Sequence, residues 1–326
     1  MRKACLFKMQ SVYIQAHAKV NLTLDVLGKR HDGYHDIASV MQSISLCDRI
    51  SLHPWTEEIR VVCRHPQVPD GKENIVYKAA AALRKLAGIK KGVLINVIKG
   101  IPVAAGLGGG SADAAAVLRG LNIFWEANLR QEELLRLAVE VGADVPFCLK
   151  GGTALAEGIG ERLSKVKPVP SAWMLLVKPR FGVSTKKVYE NHNLSEVMQQ
   201  PRSYWFLQAL EKEELFNAIG YMGNALQKTT VELYPEVQRV MDRLKALGCP
   251  KVQLCGSGPT VFAPAPGKRT AEEWKNSFGP FQGQLFVVHT VKSGILTLVR
   301  SIRGGRVWRR KSFHQLNLKT ISRLER

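Results

Sequence analysis

Twelve consecutive residues, Pro102–Asp113, constrain this chain more than any other stretch; they read Pro-Val-Ala-Ala-Gly-Leu-Gly-Gly-Gly-Ser-Ala-Asp. An apolar run with strand character, Val93-Leu-Ile-Asn-Val-Ile98, precedes them, and an alanine-rich helical run follows from Ala112 to about Trp125. A strand that feeds a glycine-rich loop opening a helix is a ready anion site. The first N–H groups of the helix lack internal partners, and the aligned peptide dipoles place partial positive charge there. Gly106, Gly108, Gly109 and Gly110 can turn successive N–H groups toward one ligand. Ser111 suits the N-cap, or its hydroxyl faces a metal-bound phosphate. Neither common template fits: the loop has no lysine for a Walker-type motif, and its glycines miss the dinucleotide spacing. The stretch reads as a phosphate loop of another kind.

At 326 residues, with 45% apolar and 23% charged side chains, the chain has the composition of an ordinary globular protein with one large or two modest domains. No apolar run reaches membrane-spanning length, and the basic start Met1-Arg-Lys carries only a two-residue apolar patch, so a cytoplasmic protein with no membrane partner is expected. Six scattered cysteines show no Cys-x-x-Cys pair, which argues against a structural metal site in the protein. A net charge of +20 raises the question of nucleic acid. Residues 291–326 hold ten of the Lys and Arg against Glu325 alone, which leaves a body of +11, suited to an enzyme that handles polyphosphates.

Along the chain, Val12–Leu27 alternates apolar and polar residues like strands with one polar face, and Lys19, Asn21 and Thr23 share that face. Gly28-Lys-Arg-His-Asp-Gly-Tyr-His35 is a loop carrying an aromatic ring and two imidazoles. One or two strands are expected over 37–52, another over 59–63, and a helix over 75–86 behind Asn74. A second amphipathic helix over 131–141 ends in Gly142-Ala-Asp144-Val-Pro-Phe-Cys148. An aspartate in that apolar setting needs a partner, and capping the next turn is as good a reading as function. Beyond a linker near residue 166 come a strand at 173–177, a cap at Gly182-Val-Ser-Thr185, helices near 217–231 and 235–247, and a Gly-Ser turn at 255–260 between strands. A last strand is expected over 285–291.

Three separated motifs, Ala18-Lys-Val-Asn21, Pro102–Ala112 and Cys255-Gly-Ser-Gly-Pro-Thr260, stand in the order of the GHMP kinases, which the chain resembles over roughly residues 12–290. Asp32-Gly-Tyr-His35 and Gly142–Phe147 sharpen the match toward members that phosphorylate a hydroxyl of a cytidine-diphosphate-linked methylerythritol. The resemblance implies an α+β, two-domain GHMP kinase fold with the active site in the interdomain cleft, and ATP with Mg²⁺ as cofactors. Lys19 and Asp144 align with the catalytic pair. Pro102, Val103, Ala104, Ala105, Gly106, Leu107, Gly108, Gly109, Gly110, Ser111 and Ala112 would hold the phosphates, with Asn74 opening the helix beside the adenine. Tyr34 and His35 would take the cytosine by stacking and hydrogen bonding, and Asn21 and Thr185 would lie near the substrate.

The domains expected are an ATP-binding domain at 1–165, a C-terminal kinase domain at 166–290 and a basic, poorly ordered extension at 291–326. The expected partner is the small-molecule substrate, with no nucleic acid, and the chain acts as a monomer or homodimer. Another GHMP kinase, acting on homoserine, mevalonate or a sugar, is the alternative. A basic nucleic-acid-binding protein is a remote one, since no aromatic-basic RNA motif is present.

Overall fold

The computed structural model describes residues 10–194, 202–212, 215–303 and 306–311. The alternating start of the chain forms β1 (Gln10–Asn21) and β2 (Thr23–Lys29), which interrupt at Leu22 yet run on along a single edge of β3 (His35–Trp55). The other edge of that long strand takes β5 (Gly92–Ile98) and β6 (Thr153–Gly158), which in turn pair with β4 (Ile59–Cys63) and β7 (Arg162–Lys165). Between these strands lie α1 (Ile75–Leu86), α2 (Gly109–Phe124), α3 (Gln131–Val141) and α4 (Val145–Lys150).

Helix α2 is the innermost of the four. Ala114, Ala115 and Ala116 are fully buried, and a Cβ at Gly120 would stand 2.3 Å from Ile14 Cδ1. A small-sided helix can lie close on a sheet, and that closeness aims its N-terminus at β1.

After residue 172 the chain builds a second, antiparallel sheet in the order β10 (Gln253–Leu254), β11 (Val261–Ala265), β8 (Trp173–Pro179), β12 (Gly283–His289). Around it are α5 (Thr185–Glu190), α8 (Gln227–Leu233), α9 (Pro235–Ala246) and α10 (Lys268–Ser277), with Val237, Val240, Met241, Leu244 and Trp274 filling the second core. The sheets do not divide the chain at one point. Helices α6 (Arg202–Glu211) and α7 (Leu215–Tyr221) and the short β9 (Gly223–Asn224) return to the first sheet, where Phe206, Leu210 and Met222 join its core.

Two expectations change here. The helix expected over 217–231 is split, because the Asn224 amide donates to the carbonyls of Leu254 and Gly256 while its oxygen accepts from Leu226 N. That side chain takes over from the backbone and restarts the chain as α8. The extension expected to be poorly ordered begins as β13 (Ile295–Arg303), paired with β1, followed by β14 (Arg306–Lys311) paired with β13. An open edge of β1 and the run Ile295-Leu-Thr-Leu explain the pairing. Residues 312–326 lie outside the described part of the chain, so the expectation for them does too. Among the described residues no helix is long and apolar enough to cross a membrane.

One buried imidazole gives the fold a pH signature. His17 on β1 is 5% exposed, and burial pulls its pKa from 6.5 to about 4. The unfolded chain then binds the extra proton first as pH falls, so stability is full above 6.5 and drains away toward 4. The loss from this group amounts to about 3 kcal/mol at most. Urea unfolding of the wild type and His17→Phe across that window should show the steeper decline in the wild type; parallel curves would refute the assignment.

Candidate active site

The site is assembled where β1 ends, α2 begins and the second sheet turns. Lys19 follows an irregularity in the β1–β3 register and is only 5% exposed. Its ammonium donates to Asn21 Oδ1 at 2.8 Å and stands 3.5 Å from Asp144 Oδ2. Burial opposes the charge, but the Asp144 carboxylate and the Cys255 and Cys148 sulfurs outweigh it, so the Lys19 pKa lies above its ordinary value. The ammonium is therefore permanent at neutral pH.

Asp144 sits at the N-cap position of α4, yet its side chain makes no capping bond. The capping bond that the sequence offers as one reading is therefore not made, and the carboxylate faces Lys19 instead.

The glycine loop lies directly on the lysine. Lys19 N donates to the carbonyl of Leu107 at 3.0 Å, and a Cβ on Gly108 would stand 3.0 Å from Lys19 Cγ. Helix α2 starts earlier than the sequence suggests: Gly108, with φ +70°, is the N-cap, and Gly109, Gly110 and Ser111 form the first turn. Ser111 is consequently not the cap. The unpaired amides of that turn and the helix dipole make the end an anion site that fits a phosphate.

Both flanks of the loop are anchored. On the strand side, the Asp48 carboxylate accepts from Gly100 N at 2.6 Å and Ile101 N at 2.8 Å, and also from Lys99 Nζ. Lys99 bridges on to Asp113 of α2 at 2.7 Å. Burial, then the Asp48 charge, lifts the Asp113 pKa well above the usual carboxylate range despite the lysine. On the other side, Gly106 takes φ +76°, and a Cβ there would stand 2.2 Å from the Cys255 carbonyl oxygen. The Cys255–Thr260 turn thus braces the loop from the second sheet. Gln253, beside it, donates to the carbonyls of Asn21 and Leu22, where the first sheet breaks.

The remaining expected residues fall into place unevenly. Thr185 Oγ1 pairs with Ser257 Oγ at 2.8 Å, joining α5 to the second Gly-Ser turn. Tyr34 is 60% exposed on a turn held by Arg30, Asp32 and Asp36, while His35 is buried with its ring 5.2 Å from that of Tyr189. Asn74 is committed within the protein, capping α1 through Val76 N and donating to the Pro69 carbonyl.

Tyr189 is the residue that sequence reasoning missed. Burial and then the Asp144 charge raise the pKa of its phenol, and its ring packs on that of His35. Its spacing of four from Thr185 on α5 was the available signal, since both lie on one helix face. A cavity of about 600 Å³ flanks the loop, lined by His65, Lys99, Pro102, Val103, Arg180 and Gln284 among others. Neither Lys19 nor Asp144 lines it, so this cavity does not contain the ion pair.

With this geometry in place, the likeness to known proteins is specific. Residues 74–152 match the GHMP kinases N terminal domain and residues 206–281 the GHMP kinases C terminal family. The 4-diphosphocytidyl-2-C-methyl-D-erythritol kinase of Bacillus pumilus is 44% identical over 278 residues, covering 85% of this chain and 96% of that protein. The protein of the same name from Acetivibrio thermocellus is 42% identical over 287 residues, 87% of this chain and 100% of that one. A crystal structure of 4-(cytidine 5'-diphospho)-2C-methyl-D-erythritol kinase superposes with a TM-score of 0.72 at 34% identity, over 85% of this chain and 98% of its own. Homoserine kinase from Cytophaga hutchinsonii, at 20% identity and a TM-score of 0.70, over 88% of this chain and 97% of its own, shares the fold.

The brace between the sheets can be tested at one atom. Gly106→Ala should cost about 1–3 kcal/mol of stability, from a positive φ and a clash with backbone. It should also weaken nucleotide binding at least about tenfold by shifting the loop amides. Gly28→Ala, with nothing within 4 Å of its Cβ, is the matched control and should change neither. Urea unfolding and calorimetric titration with a non-hydrolysable ATP analogue read both; equal behaviour of the two variants would contradict the brace.

Proposed function

This chain belongs to the GHMP kinase family, and we infer that it transfers the γ-phosphoryl group of ATP to the 2-hydroxyl of 4-diphosphocytidyl-2-C-methyl-D-erythritol, a step in non-mevalonate isoprenoid precursor synthesis. The observation that carries this reading is the 3.5 Å Lys19–Asp144 pair, with the Lys19 stem packed directly against Gly108 of the loop. That contact sets the amides that would hold phosphate beside the carboxylate that would accept the proton.

Each group then has a task that its chemistry suits. The amides of Gly109, Gly110 and Ser111 hold the terminal phosphates, which fixes the phosphorus for in-line attack. Asp144 orients the attacking hydroxyl and accepts its proton as the new P–O bond forms and the bond to ADP breaks. Lys19 stabilises negative charge on the attacking oxygen. Tyr34 and Tyr189 offer faces for a nucleobase, and His35 offers a hydrogen bond to its edge. Asn21 and Thr185 border the substrate.

Mg²⁺ fits the chemistry of the donor set. It binds chiefly through phosphate oxygens and water with one or two protein oxygens, and the half-buried Ser111 hydroxyl at the start of α2 can supply one. When bound, the ion neutralises phosphate charge. The reading needs no nucleic-acid or membrane partner and a cytoplasmic monomer or homodimer. Its ATP-binding part ends near residue 166 and its C-terminal part follows, with α6, α7 and β9 crossing back to the first sheet.

Two experiments test the roles. Lys19→Ala and Asp144→Asn should each lower kcat by about 10²–10⁴-fold while ATP affinity stays within about threefold. Tyr34→Ala should raise KM for the cytidylated diol about tenfold and leave KM for ATP unchanged. Near wild-type kcat in either variant of the pair would overturn the catalytic assignment. Turnover of homoserine, mevalonate or a sugar in place of the cytidylated diol would shift the substrate to another branch of the family.

A further inference from the structure

The polar face of the first ribbon does not stop at the ammonium. Lys19 Nζ donates to Asn21 Oδ1 at 2.8 Å, Asn21 Nδ2 donates to Ser39 Oγ at 2.8 Å, and Ser39 Oγ donates to the Thr23 carbonyl at 2.6 Å. Asn21 is 1% exposed and Ser39 fully buried, so water does not compete for these bonds. The chain of donors has a direction. A serine hydroxyl owns one proton, and here that proton goes to a backbone carbonyl of the sheet. Only lone pairs of Ser39 remain to face Asn21, so the amide must present its NH₂ to the serine and its oxygen to the lysine. A flipped amide would set an NH₂ against an ammonium and an oxygen against lone pairs.

We propose that Ser39 is a positioning residue for phosphoryl transfer: its hydroxyl fixes the orientation of the Asn21 amide, and the amide oxygen then fixes the Lys19 ammonium beside Asp144. The ammonium has three protons and two visible claimants, Asn21 and Asp144. With Asn21 set, its remaining direction is free for the substrate. Ser39 itself touches neither lysine nor carboxylate, and no part of the sequence pattern singles it out. The proposal rests on the reading of Lys19 and Asp144 as the reacting pair.

Steady-state kinetics of the full chain with ATP and the cytidylated diol provide the test. Ser39→Ala should lower kcat about tenfold to a hundredfold by loosening the ammonium, with KM for ATP within about twofold. A purely structural serine would lower thermal stability and leave kcat per folded molecule alone. Ser39→Thr, which keeps the hydroxyl, should hold kcat within about threefold of wild type even where the added methyl lowers Tm. In an Asn21→Ala background, Ser39→Ala should change kcat by less than about twofold, because the two act as one unit.

A folded Ser39→Ala with wild-type kcat, a Ser39→Thr as slow as alanine, or multiplicative losses in the double variant would each overturn the proposal. Lys19→Ala separates the two levels. If it is inactive while Ser39→Ala is fully active, the serine assignment alone is wrong; if Lys19→Ala itself turns over normally, the underlying reading is wrong.

Discussion

A lysine ammonium taken out of water needs compensation, and in this protein that need organises three segments far apart in sequence. Removing the charge of Lys19 from solvent costs several kcal/mol. A carboxylate at 3.5 Å returns about 5 kcal/mol at an effective dielectric of 20. The balance is close, so neither partner is dispensable, and the Asn21 oxygen supplies what the ion pair leaves over. The charge joins the first strand to the turn before α4, while the backbone N–H and stem of the same lysine join that strand to the loop that opens α2. A group so placed is also pre-paid for chemistry: it can stabilise a developing alkoxide without reorganising.

The glycines beside that charge have a reason beyond phosphate. Gly108 is bare because the Lys19 stem runs beneath it, and Gly106 because the Cys255 carbonyl closes on it. The loop is thus clamped between the strand that carries the lysine and the turn that belongs to the second sheet. Asp48 grips its other end through two backbone amides. Any shift of one sheet against the other would move the amides at the start of α2, where the proposed function seats the terminal phosphates.

How much of this was legible beforehand depended on whether the signal was local. The strand–loop–helix around Pro102–Asp113, the helix behind Asn74 and the cap at Ser184 follow from residues next to one another, and all three form. The shared face of Lys19, Asn21 and Thr23 was also readable, as strand parity alone supplies it. Contacts across long separations were not. Nothing local links Asp48 to Lys99, Gln253 to Leu22 or Ser39 to Asn21, and the open edge of β1 that recruits β13 exists only once the sheet is built. Asn224 breaks an expected helix for the same reason, since its partners at Leu254 and Gly256 lie about thirty residues on. The pairing of Lys19 with Asp144 came from family resemblance, and geometry is what gives it a physical basis.

The central claim is that the amides at the start of α2 and the Lys19–Asp144 pair face one reacting phosphorus. A crystal structure of the full chain with a non-hydrolysable ATP analogue, Mg²⁺ and the cytidylated diol addresses it directly. The γ-phosphate is expected within hydrogen-bond distance of the Gly109–Ser111 amides, and the substrate hydroxyl between that phosphorus and Asp144. A triphosphate seated away from α2, or a hydroxyl out of reach of Asp144, would contradict it.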